Sequence, residues 1–289
     1  MLEDKNTPKA FELFRISIIQ LTILSFSFIL LSIFSQLAMA TVAYQNRLPE
    51  NLLDLSEEER TTFQNKIAKE FESLAKNHPE KIADEFIEAT TNTTPSLLLI
   101  QNILWFVSFL IPAYFVFTRF LKDDVQCLND ELSFTHINRG LMAGISVFII
   151  LMLVSLVFYV FNFKPKVNHF QTKLFTNIKG NFYLLAWCIY TVGIITGIME
   201  EFLFRGLMLN HFVKKGYAKE GLMITSFIFG IMHFSFDASP VIPAILTFVG
   251  VLFGSIYLQS RNIWTVMATH ACYNSLGLIT AYFLGDKLL

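Results

Sequence analysis

"GIMEEFLFRG", residues 197–206, closes an apolar run long enough to cross a bilayer and sets Glu200, Glu201 and Arg205 inside it. An ionisable side chain at membrane depth costs roughly 2.5–3.5 kcal/mol on insertion scales, so such groups face a partner or a cavity rather than lipid. Glu201 and Arg205 are four residues apart and share a helix face, acid before base, which is the favourable order. Glu200 lies about 100° round the helix from Glu201. The spacing therefore assigns Glu201 to an ion pair with Arg205 and turns Glu200 toward a cavity.

The rest of the chain agrees with a membrane setting. Of 289 residues, 54% are hydrophobic and 31 are phenylalanine, and the formal net charge is −1. A balance this close to neutral gives no electrostatic footprint for nucleic acid. The charges gather in loops and leave seven apolar stretches, each near the roughly 20 residues a bilayer requires. They are residues 16–38, 97–117, 141–161, a fourth from 182 past the glutamates, a short one at 222–236, then 241–258 and 263–284. The fold expected is all-α, a polytopic transmembrane bundle of about seven spans with a small extramembrane hairpin between the first two. Residues 1–40 hold the N-terminal segment and first span, and 41–95 the polar insertion. Residues 96–180 hold spans two and three, and 181–289 the membrane domain that carries the chemistry. The first apolar stretch is too long for a signal-peptide core and reads as a retained helix.

Orientation follows from lysine and arginine in the short loops. With the N terminus inside, inner segments carry Lys5, Lys9, Arg15, Arg119, Lys122, Arg139, Lys214, Lys215, Lys219 and Arg261, and outer ones carry Lys164, Lys166, Lys173, Lys179 and Lys287. That ratio places the N terminus in the cytoplasm. Residues 45–94 form the one long polar loop. Ser56 and Glu59 have capping-box spacing, and Phe63, Ile67, Phe71 and Leu74 follow at helical intervals. Asn77, His78 and Pro79 break the pattern, and a second short piece carries Ile82 and Phe86. Two readings stay open: a solvated hairpin packed on the membrane domain, or a lid or docking element.

Three polar strings punctuate the apolar C-terminal half: "EEFLFR" from Glu200, "FGIMHF" with Phe229 and His233, and "HACYN" with His270 and Asn274. His270 and Asn274 share a helix face at i and i+4. Glu200 and His233 are equally far in sequence from the turn near Gly216 and Tyr217, and His270 follows the next inner turn. One carboxylate, two imidazoles and an amide thus converge in the inner half of the bilayer. A carboxyl in a low-dielectric cavity suits general acid–base work. Glu200, His233 and His270 also have the composition of a zinc site with an open position for water. Asn274 beside His270 suits an oxyanion. All three roles serve attack of water on a carbonyl. The same groups also compose a proton or ion pathway, or polar glue between helices.

Other polar positions read as structural. Cys127, Cys188 and Cys272 are dispersed and read as small buried hydrophobes. His211, Lys214 and Lys215 read as interface anchors at the inner end of span four. Phe229 reads as helix packing. Asp237 nears the site only if span five ends early. Gly250 and Gly254 form a GxxxG that reads as close packing within the protein.

EExxxR, FxxxH and HxxxN, in this order on successive membrane helices, resemble the CPBP family. Its members are the type II CAAX prenyl endopeptidases and the bacteriocin-processing or immunity-associated Abi proteins. The resemblance covers about residues 184–284, and every signature position is filled. It implies a helical intramembrane endopeptidase in which Glu200 activates water with help from His233, His270 and Asn274 stabilise the oxyanion, and Glu201 and Arg205 orient the motif helix. It implies either a metalloprotease holding Zn2+ on Glu200, His233 and His270 or a metal-free glutamate mechanism. The partners it implies are the lipid bilayer and a peptide or membrane-protein substrate, such as a prenylated tail or a leader peptide. The compact chain without an organelle address fits a bacterial plasma membrane. The alternative is a non-proteolytic immunity or scaffold protein that binds a peptide in the same cavity. A proton-coupled transporter ranks last, for want of paired Gly/Pro-broken helices.

Overall fold

The structure, a computed structural model, describes residues 9–49, 54–123 and 125–285, so Lys5 and Lys287 of the loop cations fall outside it. Among the described residues there are ten helices and no strand. They are α1 (Lys9–Gln45), α2 (Glu57–Asn77), α3 (Pro79–Glu88), α4 (Leu97–Phe120), α5 (Phe134–Val160), α6 (His169–Ile178), α7 (Phe182–Lys214), α8 (Ala218–Ile231), α9 (Val241–Ser260) and α10 (Ile263–Leu284). Five of them, α1, α4, α5, α7 and α9, are long and apolar enough to cross a membrane.

The fifth and seventh expected spans form helices but do not meet that standard. α8 ends at Ile231 after 14 residues, about 21 Å at 1.5 Å per residue, and the chain turns through Met232–Phe234 before reaching residue 236. α10 has 22 residues, but His270, Asn274 and its threonines lower its hydropathy. The reason lies in its place. α10 packs against α5, α7 and α9, which bury residues 265–270 of it.

Glycine stripes make that enclosure possible. On α5, a Cβ at Gly140 would stand 2.4 Å from the Thr265 carbonyl oxygen, and one at Gly144 would stand 2.6 Å from Cys272 Cβ. On α7, a Cβ at Gly193 would meet Ser275 Oγ at 2.6 Å, and one at Gly197 the Ala271 nitrogen at 3.1 Å. Both pairs are GxxxG motifs, and α10 lies between them with backbones in close approach. Gly250 and Gly254 of α9 face Ser226 and Leu222 of α8, so that motif too packs within the chain.

The two ends of the bundle are tied differently. At the end where α1 begins, the Tyr217 hydroxyl donates to Glu12 Oε2 at 2.8 Å. Asp130 Oδ2 accepts from the Ile263 amide at 2.6 Å, and Asn262 Nδ2 donates to the Glu131 carbonyl at 2.9 Å, which seats the start of α10. His211 and Lys214 are tied to a carboxylate of the chain. Asp123, just past α4, lies 2.8 Å from His211 Nδ1 and 2.5 Å from Lys214 Nζ, and its side chain is buried. Burial works to raise the Asp123 carboxyl, but hydrogen bonds from His211 and Lys214 and the lysine charge outweigh it and hold the group far below the usual carboxylate range.

At the opposite end the polar insertion forms the expected hairpin. Ser56 and Glu59 make the reciprocal capping box of α2, and α3 lies against α1 and α6. Arg47 grips Glu85 in a bidentate pair, both contacts at 2.8 Å. Asp84 meets His169 Nε2 at 3.0 Å, and Asn177 Nδ2 donates to Thr91 Oγ1 at 2.9 Å.

Two outcomes test this packing. Gly144→Leu forces α5 off α10 and is expected to destabilise the protein by about 1–3 kcal/mol, read as a lower unfolding midpoint in mixed micelles. Asp123→Asn is expected to lower stability near neutral pH. The depressed native carboxyl contributes above its unfolded value near 4 and loses that contribution as pH falls through its folded value, so the gap to wild type is expected to narrow on acidification, measured by thermal melts across pH.

Candidate active site

Four helices build one buried polar group. Glu201 of α7 is fully buried, and its Oε1 accepts from Arg205 Nη1 at 2.9 Å and from His270 Nδ1 of α10 at 2.7 Å. Arg205 Nη2 donates to the Gly250 carbonyl of α9 at 2.8 Å. The guanidinium carbon lies 5.1 Å from the Phe229 ring centroid, 5.7 Å from Phe253 and 5.8 Å from Phe204. Three aromatic faces thus replace the water that an arginine has lost. Gly197 helps the meeting, since a Cβ there would stand 3.1 Å from the Ala271 nitrogen and 3.5 Å from the His270 carbonyl carbon.

Glu200 keeps clear of this chain of bonds, as its helical angle requires. Its side chain is 13% exposed, and its Oε2 lies 3.9 Å from His270 Nε2, beyond direct hydrogen-bond distance. Glu201 accepts at the other ring nitrogen, so Nε2 is the free end of His270 and points toward Glu200. His233, in the turn that ends α8, is set the same way. Its Nδ1 lies 2.7 Å from the Phe229 carbonyl, and a carbonyl only accepts, so Nδ1 carries a proton and the neutral ring has its lone pair at Nε2. Both imidazoles pack on Phe229, with ring centroids at 4.9 Å for His233 and 6.1 Å for His270.

Asn274 differs from the sequence expectation of a free oxyanion donor. Its Nδ2 donates to the Val192 carbonyl of α7 at 3.0 Å, which commits one of its two N–H groups. Glu200, His233 and His270 have the right donor chemistry for zinc, but they are not gathered as a cluster. Among the described residues no three His, Cys, Asp or Glu side chains are grouped so as to hold a metal ion. Asp237 stays away from the site even though α8 ends early: its carboxylate accepts from the His169 backbone amide at 2.7 Å. Cys127 and Cys188 are buried and free, and Cys272 is half-buried and free.

Several contributors were not read from sequence. Phe229 does more than pack, because its carbonyl sets the His233 tautomer and its ring covers Arg205. Phe253 and the Gly250 carbonyl had no sequence signal. The Gly193–Gly197 stripe had one, a GxxxG ending three residues before Glu200. Asn102, an amide inside the apolar α4, also stood in plain view.

The family model of the Rce1-like type II CAAX prenyl endopeptidases matches residues 182–276. That segment contains all three polar strings, and the match supports the CPBP intramembrane proteases as the family of this domain. No curated protein and no solved structure gives a significant match to the chain.

Breaking the buried pair is expected to be far more damaging than losing the Glu200 carboxylate. Arg205→Leu leaves Glu201 charged without its cation and is expected to destabilise the protein by about 3–5 kcal/mol. Glu200→Gln is expected to remain within about 1 kcal/mol of wild type, since Glu200 makes no direct bond at the site. Equilibrium unfolding of both variants in mixed micelles checks the contrast.

Proposed function

We propose that the protein is an intramembrane endopeptidase that hydrolyses a peptide bond with water activated by Glu200. The observation that carries this reading is the 3.9 Å separation of Glu200 Oε2 from His270 Nε2, with His270 held at its other nitrogen by a buried carboxylate. A water oxygen about 2.8 Å from each atom would see them at close to a right angle, an ordinary hydrogen-bonding geometry. Glu200 takes a proton from that water as its oxygen attacks the scissile carbonyl. His233, at the end of α8 beside Phe229, assists this step as the family resemblance implies. His270, when protonated, donates from Nε2 to the developing oxyanion, and the second N–H of Asn274 supports it. Glu200 then delivers its proton to the leaving amine, and the products are a carboxylic acid and an amine. Every step is given to side chains of this chain.

The substrate class is a peptide or protein segment that reaches the site from the membrane. A prenylated C-terminal tail and an unlipidated leader or transmembrane segment are its two forms. The N terminus faces the cytoplasm in this reading, and the hairpin end faces outward.

The test reconstitutes wild type and Glu200→Gln in liposomes with two reporter peptides, one farnesylated near its C terminus and one carrying an unlipidated apolar segment. Cleavage of either by wild type is expected to fall by about 10²–10⁴ in Glu200→Gln and to persist with 1,10-phenanthroline. Cleavage that survives the substitution would remove Glu200 from catalysis and favour a peptide-binding scaffold. Cleavage abolished by the chelator and restored by zinc would move the reading to a metalloprotease.

A further inference from the structure

Glu200 and Glu201 are useful only if α7 is turned to the right angle, and the structure shows what sets that angle. α7 has two π segments, Ile189–Ile195 before the α-helical stretch Thr196–Glu201 and Phe202–Leu209 after it, and the first of them precedes both glutamates. A π turn accommodates one extra residue in an α-helix. Every side chain beyond it is therefore rotated by about 100° from where an uninterrupted helix would place it. Without that turn, Glu201 would not face His270.

Two amides from neighbouring helices bond to the turn. Asn274 of α10 donates to the Val192 carbonyl, as described above. From the other side, Asn102 of α4 donates Nδ2 to the Thr191 carbonyl at 3.1 Å, and its Oδ1 lies 3.1 Å from the Thr196 hydroxyl. Asn102 thus meets α7 at both polar ends, one on the turn and one on the residue that follows it, whose hydroxyl lies 3.1 Å from the Thr191 carbonyl as well. Thr191 is fully buried. Thr196 lies four residues before Glu200 and on the same helix face. Asn102 also lies outside the matched segment 182–276.

We propose that Asn102 is a positioning residue: it holds the π turn of α7 at Thr191 and Thr196, and so fixes the rotation that seats Glu201 on His270 and leaves Glu200 free. Its consequence for turnover rests on the reading of Glu200 and His270 as the reacting groups. Its geometric content does not.

The experiment uses full-length protein in detergent micelles with 15N-labelled histidine. The Nδ1–H proton of His270, bonded to a buried carboxylate, gives a downfield signal that His270→Gln identifies. Asn102→Ala and Thr196→Val are compared with Asn177→Ala, which removes another interhelical amide bond, to Thr91, that does not touch the π turn. The expected result is an upfield shift or loss of the His270 signal in Asn102→Ala, a smaller change in Thr196→Val, and the wild-type signal in Asn177→Ala. On a cleavable reporter, Asn102→Ala is expected to lower kcat by about a hundredfold with KM little changed. An unaltered His270 signal in Asn102→Ala overturns the proposal. If that variant does not fold, an unaltered signal in Thr196→Val overturns it instead. A moved signal in a protein that cleaves no reporter upholds the positioning role and counts against the endopeptidase reading alone.

Discussion

The bond from His270 to Glu201, with Arg205 on the same carboxylate oxygen, is the constraint on which the rest of the domain depends. Three ionisable groups are buried with their contacts at 2.7 and 2.9 Å, and α9 completes the set through the Gly250 carbonyl. Leaving any one of them alone in an apolar interior would be expensive, so the helices that carry them must meet. That requirement explains much of the local chemistry. The phenylalanines cover Arg205, and Gly197 admits α10 to α7. His270 is held at one nitrogen and left open at the other. Glu200, one residue before Glu201, falls outside the network because successive helical side chains diverge by about 100°.

The same constraint explains why a helix with His270 and Asn274 can run through a membrane protein. α10 is not apolar enough to face lipid along its length, and it does not have to. GxxxG stripes on α5 and α7 bring two backbones close to it, and its polar side chains find partners on α7, α5 and the loop before α5. α8 uses a third stripe, on α9, and stops at Ile231. Its early end sets His233 beside Phe229 and at the edge of the site. Continuing the helix to residue 236 would have carried the chain past this level and removed the turn that His233 occupies.

Away from the site, the two ends of the bundle use ordinary ion pairs for a mechanical purpose. The buried Asp123 with His211 and Lys214 joins the end of α4 to the end of α7. Arg47 with Glu85, and Asp84 with His169, join the hairpin to α1 and α6. α7 is therefore restrained at its far end by Asp123 and near its middle by Asn102 and Asn274. Between those points its carboxylates are presented in a fixed direction.

The sequence by itself determined what composition and short-range periodicity can determine. Long apolar stretches separated by charged loops require membrane helices. Ser56 with Glu59 required a capped α2. The i, i+4 spacing of Glu201 and Arg205 required their pairing, and the offset of Glu200 required it to point elsewhere. All of these depend on residues within one or two turns of each other. Only the tertiary structure decided that Glu201 also binds His270 and that Asn274 spends an N–H on Val192. These contacts join residues 69 to 82 positions apart, and no local pattern encodes them. The rotation of α7 was equally out of reach, because a π turn changes the phase of every residue after it, and what marks that turn are asparagines on two other helices.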